Sequence, residues 1–326
     1  MTALARLIAG AVAGAALLAG LDTAFAQNYP TKPVRIVIGF APGGPADIAG
    51  RIIAPKLSEA LGQTFIIDNR GGAGGTIGLD VVAKAPPDGY TLALASSGNL
   101  VVAPNIRTKV PYNVQKDFAP ITTLSVSAFV LAVNPSVPAR SMIEFAKLAK
   151  TTKNSLTYGS SGGGSSSHVG GELLAQALSV PLTHVPYKGT GPALAAVVSG
   201  EIDMMIADLT PALPHAKNNR LRLLAVAGSK RASAAPDLPT MLEAGVKMQP
   251  IDGRYGVLAP AGTPREVIGR LHAAIVAVLK QPDVAQRFHQ LGSEVVGDTP
   301  EQFAETIKVQ SENLAPVVKK AGITAN

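Results

Sequence analysis

The chain predicts an exported α/β protein of two lobes, and three observations lead there. An apolar leader is followed by a small-residue processing signal. Short apolar runs then alternate with helix-period segments down the remaining chain. Finally, about 300 residues after the leader exceed what one hydrophobic core ordinarily holds, so the chain is expected to divide.

Arg6 gives the leader a positive start, and Leu7 to Leu21 is almost unbroken apolar sequence. Ala24-Phe25-Ala26 supplies the small-x-small pattern of a signal-peptidase site, so cleavage is expected after Ala26 and the mature chain near Gln27. The run is too short for a stable bilayer span. No cysteine follows to carry a lipid, so no membrane anchor is expected.

Glycine (33) and proline (25) are abundant and aromatics make up only 4%, which suits many short strand–helix connections. With 47% apolar residues the chain has enough to fill cores and is not disordered. The absence of cysteine excludes disulfides and thiol chemistry. The formal charge is +7, and Arg6 and Asp22 of the leader cancel, so the mature chain keeps it. That charge concentrates anions. Its basic residues are scattered, as at Lys147, Lys150 and Lys153, with no stripe interleaved with aromatics, which argues against nucleic acid.

Val34 to Ile38 reads as the first strand, with a glycine–proline turn at Ala41 to Pro45 and a helix from about Ala46 to Leu61, whose Ile48, Ile52, Ile53 and Leu57 recur about a turn apart. Phe65-Ile66-Ile67 is the second strand, and a glycine turn at Gly71 to Gly75 leads to a helix from Thr76 to Ala85. Asp88-Gly89 turns into the strand Tyr90 to Ala95. Short apolar runs separated by helices are the pattern of buried parallel strands. Leu124 to Val133 is long enough to cross between lobes. Ser141-x-x-Glu144 reads as a capping box. Leu156 to Tyr158, Leu182 to Val185, Met204 to Ile206 and Leu223 to Ala227 are further strands, with Tyr255 to Leu258 as the return crossing. Thr263-Pro264-x-Glu266 and Thr299-Pro300-x-Gln302 read as helix starts.

The chemistry lies in the strand-to-helix turns. Phe40 to Asp47 combines glycines, which bring backbone N–H groups close to a ligand, with the positive end of a helix. Asp47 reads as an acceptor of N–H groups at the helix start rather than as a catalytic acid. The turn Gly71 to Thr76 either contributes in the same way or permits close packing. Ser96, Ser97 and Asn99 end the third strand with short hydrogen-bonding groups. Tyr158 to Ser167, between a strand and a helix, reads as a neutral anion cradle rather than a tether. Each charge-assisted bond to a carboxylate is worth about 1.5–3 kcal/mol, so several neutral donors can bind one without a buried cation.

Enzyme signatures are missing. Ile77 stands where a dinucleotide fingerprint needs its third glycine, and no glycine run precedes Lys-Ser or Lys-Thr. No Gly-x-Ser-x-Gly occurs. The five histidines, including His168 and His184, form no close-spaced metal motif. No catalytic residue, metal or cofactor is therefore expected.

Over the whole mature region the chain resembles the substrate-binding proteins of tripartite tricarboxylate transporters. The resemblance is carried by Pro42-Gly43-Gly44-x-x-Asp47, Asp68-Asn69-Arg70-x-Gly72-Ala73-Gly74-Gly75, Lys116 to Pro120, Tyr158-Gly159-Ser160-x-Gly162, His168-x-x-Gly171-Glu172-Leu173, Val185 to Gly189, Leu238-Pro239-Thr240-x-x-Glu243-Ala244-Gly245 and Ala259-Pro260-x-Gly262-Thr263-Pro264. Each motif is weak alone, but their order is specific. The resemblance implies a type II periplasmic binding fold, an α/β architecture with a central sheet in each of two lobes and crossing strands at the hinge. The lobes are expected at residues 27–126 with 253–326 and at 127–252, after a signal peptide at 1–26.

By the same resemblance, Pro42, Gly43, Gly44 and Asp47 match the first-lobe ligand loop, and Ser96 and Asn99 lie near the cleft. Ser161, Gly164, Ser165 and Ser166 match the second-lobe loop, while Thr190 and Asp208 face the cleft or organise it. Waters are expected to bridge the loops to one carboxylate, and Arg70 either to support a loop or to bind directly. Two departures bear on the ligand. Gly71 replaces a usual proline, and Gly253-Arg254-Tyr255-Gly256 replaces a serine-tryptophan-tyrosine-glycine crossing, leaving Arg254 either to meet a further carboxylate or to point to solvent beside the hinge. The function implied is periplasmic capture of a small mono-, di- or tricarboxylate by a monomer and its delivery to integral-membrane transporter subunits. The alternative is an accessory that presents its ligand to a membrane sensor kinase.

Overall fold

The structure is a computed structural model and describes residues 29–325; the expected signal peptide and its cleavage site lie outside them. Three parallel strands open the first lobe: β1 (Val34–Ile38), β2 (Phe65–Asn69) and β3 (Thr91–Ser96), with β1 between the other two. Helix α1 (Pro45–Leu61) and helix α2 (Thr76–Ala83) make the crossovers. Helix α2 ends two residues short of the expected Ala85. A π-turn at Gly98–Val102 leads into α3 (Ala103–Ile106), and α4 (Val114–Asp117) precedes β4.

Strand β4 (Phe118–Val133) joins the lobes, and at about 3.3 Å per residue its 16 residues span about 53 Å. It starts six residues before the expected Leu124, because irregular pairing at Pro120/Thr122 and Thr123/Ser125 lets the strand absorb Pro120. Its first part pairs antiparallel with β9 (Asp252–Pro260) and β10 (Ser293–Val295). Its last five residues pair antiparallel with β7 (Met204–Asp208) on one side and β8 (Arg222–Val226) on the other. β9 also pairs with β3, so the first-lobe sheet runs β2-β1-β3-β9-β4-β10. The second-lobe sheet is completed by β5 (Leu156–Ser160), parallel to both β7 and β6 (Leu182–Pro186). Ile251 still donates to Ala227 of the second lobe, whereas Tyr255 to Leu258 already pair with β3 in the first.

Four apolar clusters cover the two faces of each sheet, following the period-2 alternation of strands. Val34, Ile36 and Ile38 point into one first-lobe cluster and Val37 into the other. In the second lobe Leu131 and Val133 face one cluster, Val130 and Ala132 the opposite one. The flanking helices there are α5 (Met142–Thr151), α6 (Ser166–Leu178), α7 (Thr190–Ser199) and α8 (Leu209–Lys217).

Helices α9 (Arg265–Leu279), α10 (Pro282–Gln290) and α11 (Pro300–Lys320) end the chain. Phe303 and Ile307 near the start of α11 pack on the first lobe, while Val318, Ile323 and Ala325 pack on the second. Thr299 and Gln302 form the full capping box expected of them. The other two helix starts differ. Ser141 accepts from the Glu144 N–H, but the Glu144 carboxylate accepts from Arg140 instead of closing the box. Thr263 donates its hydroxyl to the Pro260 carbonyl, leaving Pro264 as an N-cap without a side-chain bond.

Candidate functional site

The carboxyl ends of the parallel strands in both lobes face one another, which is where open α/β sheets place their ligands. From the first lobe come the loop between β1 and α1 and the turn after β3. From the second come the loop between β5 and α6 and the start of α7. Three helix N-termini, those of α1, α6 and α7, thus converge on one cleft lined by Gly44, Asp47, Ser96, Ser161, Ser165, Ser166 and Thr190.

The two sides meet backbone to backbone. The Ala41 N–H donates to the Lys188 carbonyl at 2.9 Å across the cleft. A Cβ added to Gly74 of the first lobe would stand 2.4 Å from the Gly163 oxygen of the second, so this approach requires glycine. Arg107, following α3, donates to the same Gly163 carbonyl at 2.8 Å. The form described is therefore closed, and the space left between the loops is about 20 Å³. That is the scale of one water or a small polar head group.

Seven of the twelve residues singled out from sequence share this cleft; the other five build its walls or hinge. Gly43 has φ +82 and donates its N–H to Asp47 Oδ2 at 3.0 Å, so that N–H is turned away from a ligand. Pro42 and Gly43 instead pack against Gly191 at the start of α7. Asn99 is fully buried behind the wall, where its Oδ1 accepts the Ser96 N–H at 2.9 Å. Gly164 lies beside Arg107 and donates to His168 Nδ1. Asp208 lies at the hinge, below the cleft.

Asp47 is only 4% exposed. It serves the preceding loop rather than the first helical N–H groups: Oδ2 accepts from Gly43 and from Arg51 Nε, while Oδ1 is buried without a protein partner. A buried carboxylate oxygen facing a cleft is a position for a bridging water. Ser165 caps α6 by accepting the His168 N–H at 3.3 Å, so its acceptor capacity is partly committed to the fold. Its hydroxyl and that of Ser161 meet Ser167 at 3.0 and 3.1 Å, and Ser167 Oγ also accepts the Ser161 N–H. No lysine or arginine side chain lines the cleft among the described residues.

The sequence reading left several lining residues out. Ser97 and Ser167 lay within noticed polar runs, and Ser167 proves to be the centre of the serine cluster. Phe129 and Tyr255 carry no sequence signal beyond apolar strand positions, yet both line the cleft from the crossing strands. Arg254 alternates with Gly253 and Tyr255 on β9. It therefore faces a separate surface crevice with Lys230 and Glu294, outside the carboxylate cleft. Arg70 holds Asp68 at 2.9 Å and so supports its loop.

Two buried polar assemblies underlie the site. At the hinge, Asp208 accepts from Ser127 of β4 (2.7 Å), Tyr255 of β9 (2.6 Å) and the Thr210 N–H of α8 (2.9 Å). Burial pushes the Asp208 carboxyl up despite these donors, and pushes the Tyr255 phenol well above its ordinary value. Beneath the serine loop, His184 stacks on His168 and Tyr158, and its Nε2 meets Ser160 Oγ at 2.6 Å. Burial lowers His168. Burial and then the charge of His168 lower His184 to about 4, so both imidazoles are neutral at physiological pH. No group of three metal-ligating side chains occurs among the described residues.

A family model for tripartite tricarboxylate transporter receptors matches residues 49–323. The chain belongs to that family. This periplasmic receptor is a binding protein and not an enzyme. It is 37% identical over 319 residues, 97% of its length and 95% of the relative's, to a UPF0065 protein from the tcbD–tcbE intergenic region of a Pseudomonas species. Among solved structures, it is 33% identical to a Rhodopseudomonas palustris protein with adipate, covering 91% of this chain and 99% of the other at TM-score 0.88. It is 34% identical to MatC from the same organism with bound malate, covering 89% and 100% at TM-score 0.85. These matches carry the two-lobed binding-protein fold over nearly all the described residues.

Proposed function

We propose that this receptor captures a small organic carboxylate between its lobes and delivers it, closed, to the membrane subunits of a tripartite transporter. The observation that carries this reading is the convergence of three helix N-termini and of serine and threonine hydroxyls from both lobes on a single closed cleft. Such groups are donors and partial positive charges, so they favour an anion. The adipate and malate bound by its structural relatives are anions of this kind. Gly44, Ser96, Ser161, Ser165, Ser166 and Thr190 bind the head group directly or through water, and Asp47 holds a bridging water on Oδ1. Pro42, Gly43, Asn99 and Gly164 shape the loops, and Asp208 joins the crossing strands.

The net charge of +7 raises the anion concentration near the surface, while neutral donors at short range make the selection. Calorimetric titration of the purified receptor with a panel of carboxylates, paired with small-angle scattering, tests the reading. A saturable heat accompanied by compaction is expected. Binding that leaves the scattering curve unchanged would refute closure, and a panel without any binder would refute carboxylate capture. For delivery, co-purification from native membranes should recover transporter subunits. A sensor kinase recovered in their place would overturn that step.

A further inference from the structure

The head-group cleft is too small for a whole organic acid, so the rest of the ligand needs another place. Its space is about 20 Å³, whereas an adjoining crevice offers about 170 Å³. The two adjoin: Ser97 and Ser166 line both, and Gly253 of the cleft is followed back along β9 by Asp252 of the crevice. Ser97 Oγ, at the junction, is buried without a protein partner.

The crevice floor is apolar, with Val101, Val102 and Val169 buried and Ile251, Leu314 and Val317 half-buried. Helix α11 provides one wall, since Gln310, Leu314 and Val317 recur at the three- and four-residue spacings of a single helix face. No lysine or arginine lines the crevice; besides the shared Ser97 and Ser166, its polar groups are the neutral amides of Gln249, Gln310 and Asn313, exposed or half-buried at the rim, and the acidic Asp252. A second carboxylate seated on the floor would meet apolar side chains, with the amide donors out at the rim and Asp252 as a like charge, an arrangement that disfavours it. An apolar cavity of about 150 Å³ is known to accept benzene, which sets the scale of the group that fits.

We infer that the crevice is a specificity subsite for the apolar body of a monocarboxylate, about the size of a benzene ring, whose carboxylate lies on the serine loops. This rests on the carboxylate reading above and narrows it from organic acids in general to acids with one charge. Ser97 sits where body and head group join, placed to bond a carboxylate oxygen or a bridging water.

The test is calorimetric titration of the full receptor with benzoate and with adipate. Benzoate is expected to bind at least tenfold more tightly. Leu314→Arg, which places a cation in the crevice wall, should weaken benzoate at least fivefold and strengthen adipate. Gln310→Arg, at the half-buried rim, supplies the same charge without touching the floor; it should raise adipate affinity at least fivefold relative to benzoate, which keeps the test decisive if the first variant folds poorly. Adipate binding as tightly as benzoate, or neither arginine moving the ranking, overturns the subsite while leaving carboxylate capture standing. Failure of both acids, and of every other carboxylate tried, overturns capture and the subsite together.

Discussion

Gly191→Ala separates closure from folding. Gly191 is the second residue of α7, and its backbone is outside the left-handed region, so alanine fits its conformation without strain. In a helix alanine is favoured over glycine by roughly 0.5–1 kcal/mol, so the second lobe should be unharmed or slightly stabilised. Across the cleft the same methyl would stand 2.5 Å from the Pro42 carbonyl oxygen and 3.3 Å from the Gly43 carbonyl carbon. The first distance is about 0.8 Å short of an ordinary C···O contact. Neither neighbour is the end of a flexible side chain, so one loop or the whole lobe must move. Overpacking of this kind costs about 1–3 kcal/mol. Borne by the closed form alone, that cost weakens ligand binding roughly 5- to 150-fold. Titration with a carboxylate that binds the parent protein reads the affinity, scattering reads the compaction, and urea denaturation reads the fold. An affinity within twofold of the parent refutes the claim that these loops must meet for binding. Lost affinity accompanied by an equal loss of folding stability would refute the separation of the two effects.

Two further outcomes follow from the buried polar groups. Tyr255→Phe removes one of three donors to Asp208 and should cost about 1.5–3 kcal/mol of folding stability. Burial already raises the Asp208 carboxyl, and losing a donor raises it further, so the penalty should be greatest at high pH and shrink as pH falls through the raised folded value; an equal penalty at pH 8 and pH 5 would show that the hinge carboxyl does not change its protonation between them. His184, lowered to about 4 from an unfolded value near 6.5, contributes stability that is complete above 6.5 and is lost as pH falls toward 4. Urea denaturation between pH 7.5 and 4.5 should show that decline, and His184→Gln should make it shallower; an unchanged slope would assign the acid sensitivity elsewhere.

Much of the fold was legible because it rests on local chemistry. The runs around Ile36, Ile66 and Leu94 are strands because short apolar segments bounded by glycine and proline have few alternatives. Boundaries slipped where tertiary pairing overrode local preference. Pro120 looks like a break, yet irregular pairing carries β4 through it, and Thr263 looks like a cap but spends its hydroxyl on Pro260. In the site, the glycine and serine turns were visible as turns. What sequence does not encode locally is which donors are already used. Gly43 and Asp47 satisfy each other, Ser165 caps its own helix, and Asp208 joins β4 to β9. Phe129 and Tyr255 were missed for the complementary reason: an aromatic at an apolar strand position looks like core until the crossing of the strands puts it beside the cleft.

The division of the site between lobes also bears on release. A cationic clamp on one lobe would keep an anion bound in the open form, and opening would then free it slowly. Here the lining donors are neutral and come from both sides, with Gly44 and Ser96 on one and Ser161, Ser165 and Thr190 on the other. Each bond to a carboxylate is worth about 1.5–3 kcal/mol, so parting the lobes removes roughly half the donors and a large factor in affinity at once. Asp208 sits where that parting must be accommodated, bonded to both β4 and β9. Among the contacts that would part when membrane subunits open the lobes are the Ala41–Lys188 bond and the Arg107–Gly163 bond. On the proposed reading, capture and delivery are compatible because affinity belongs to the closed form and not to either lobe.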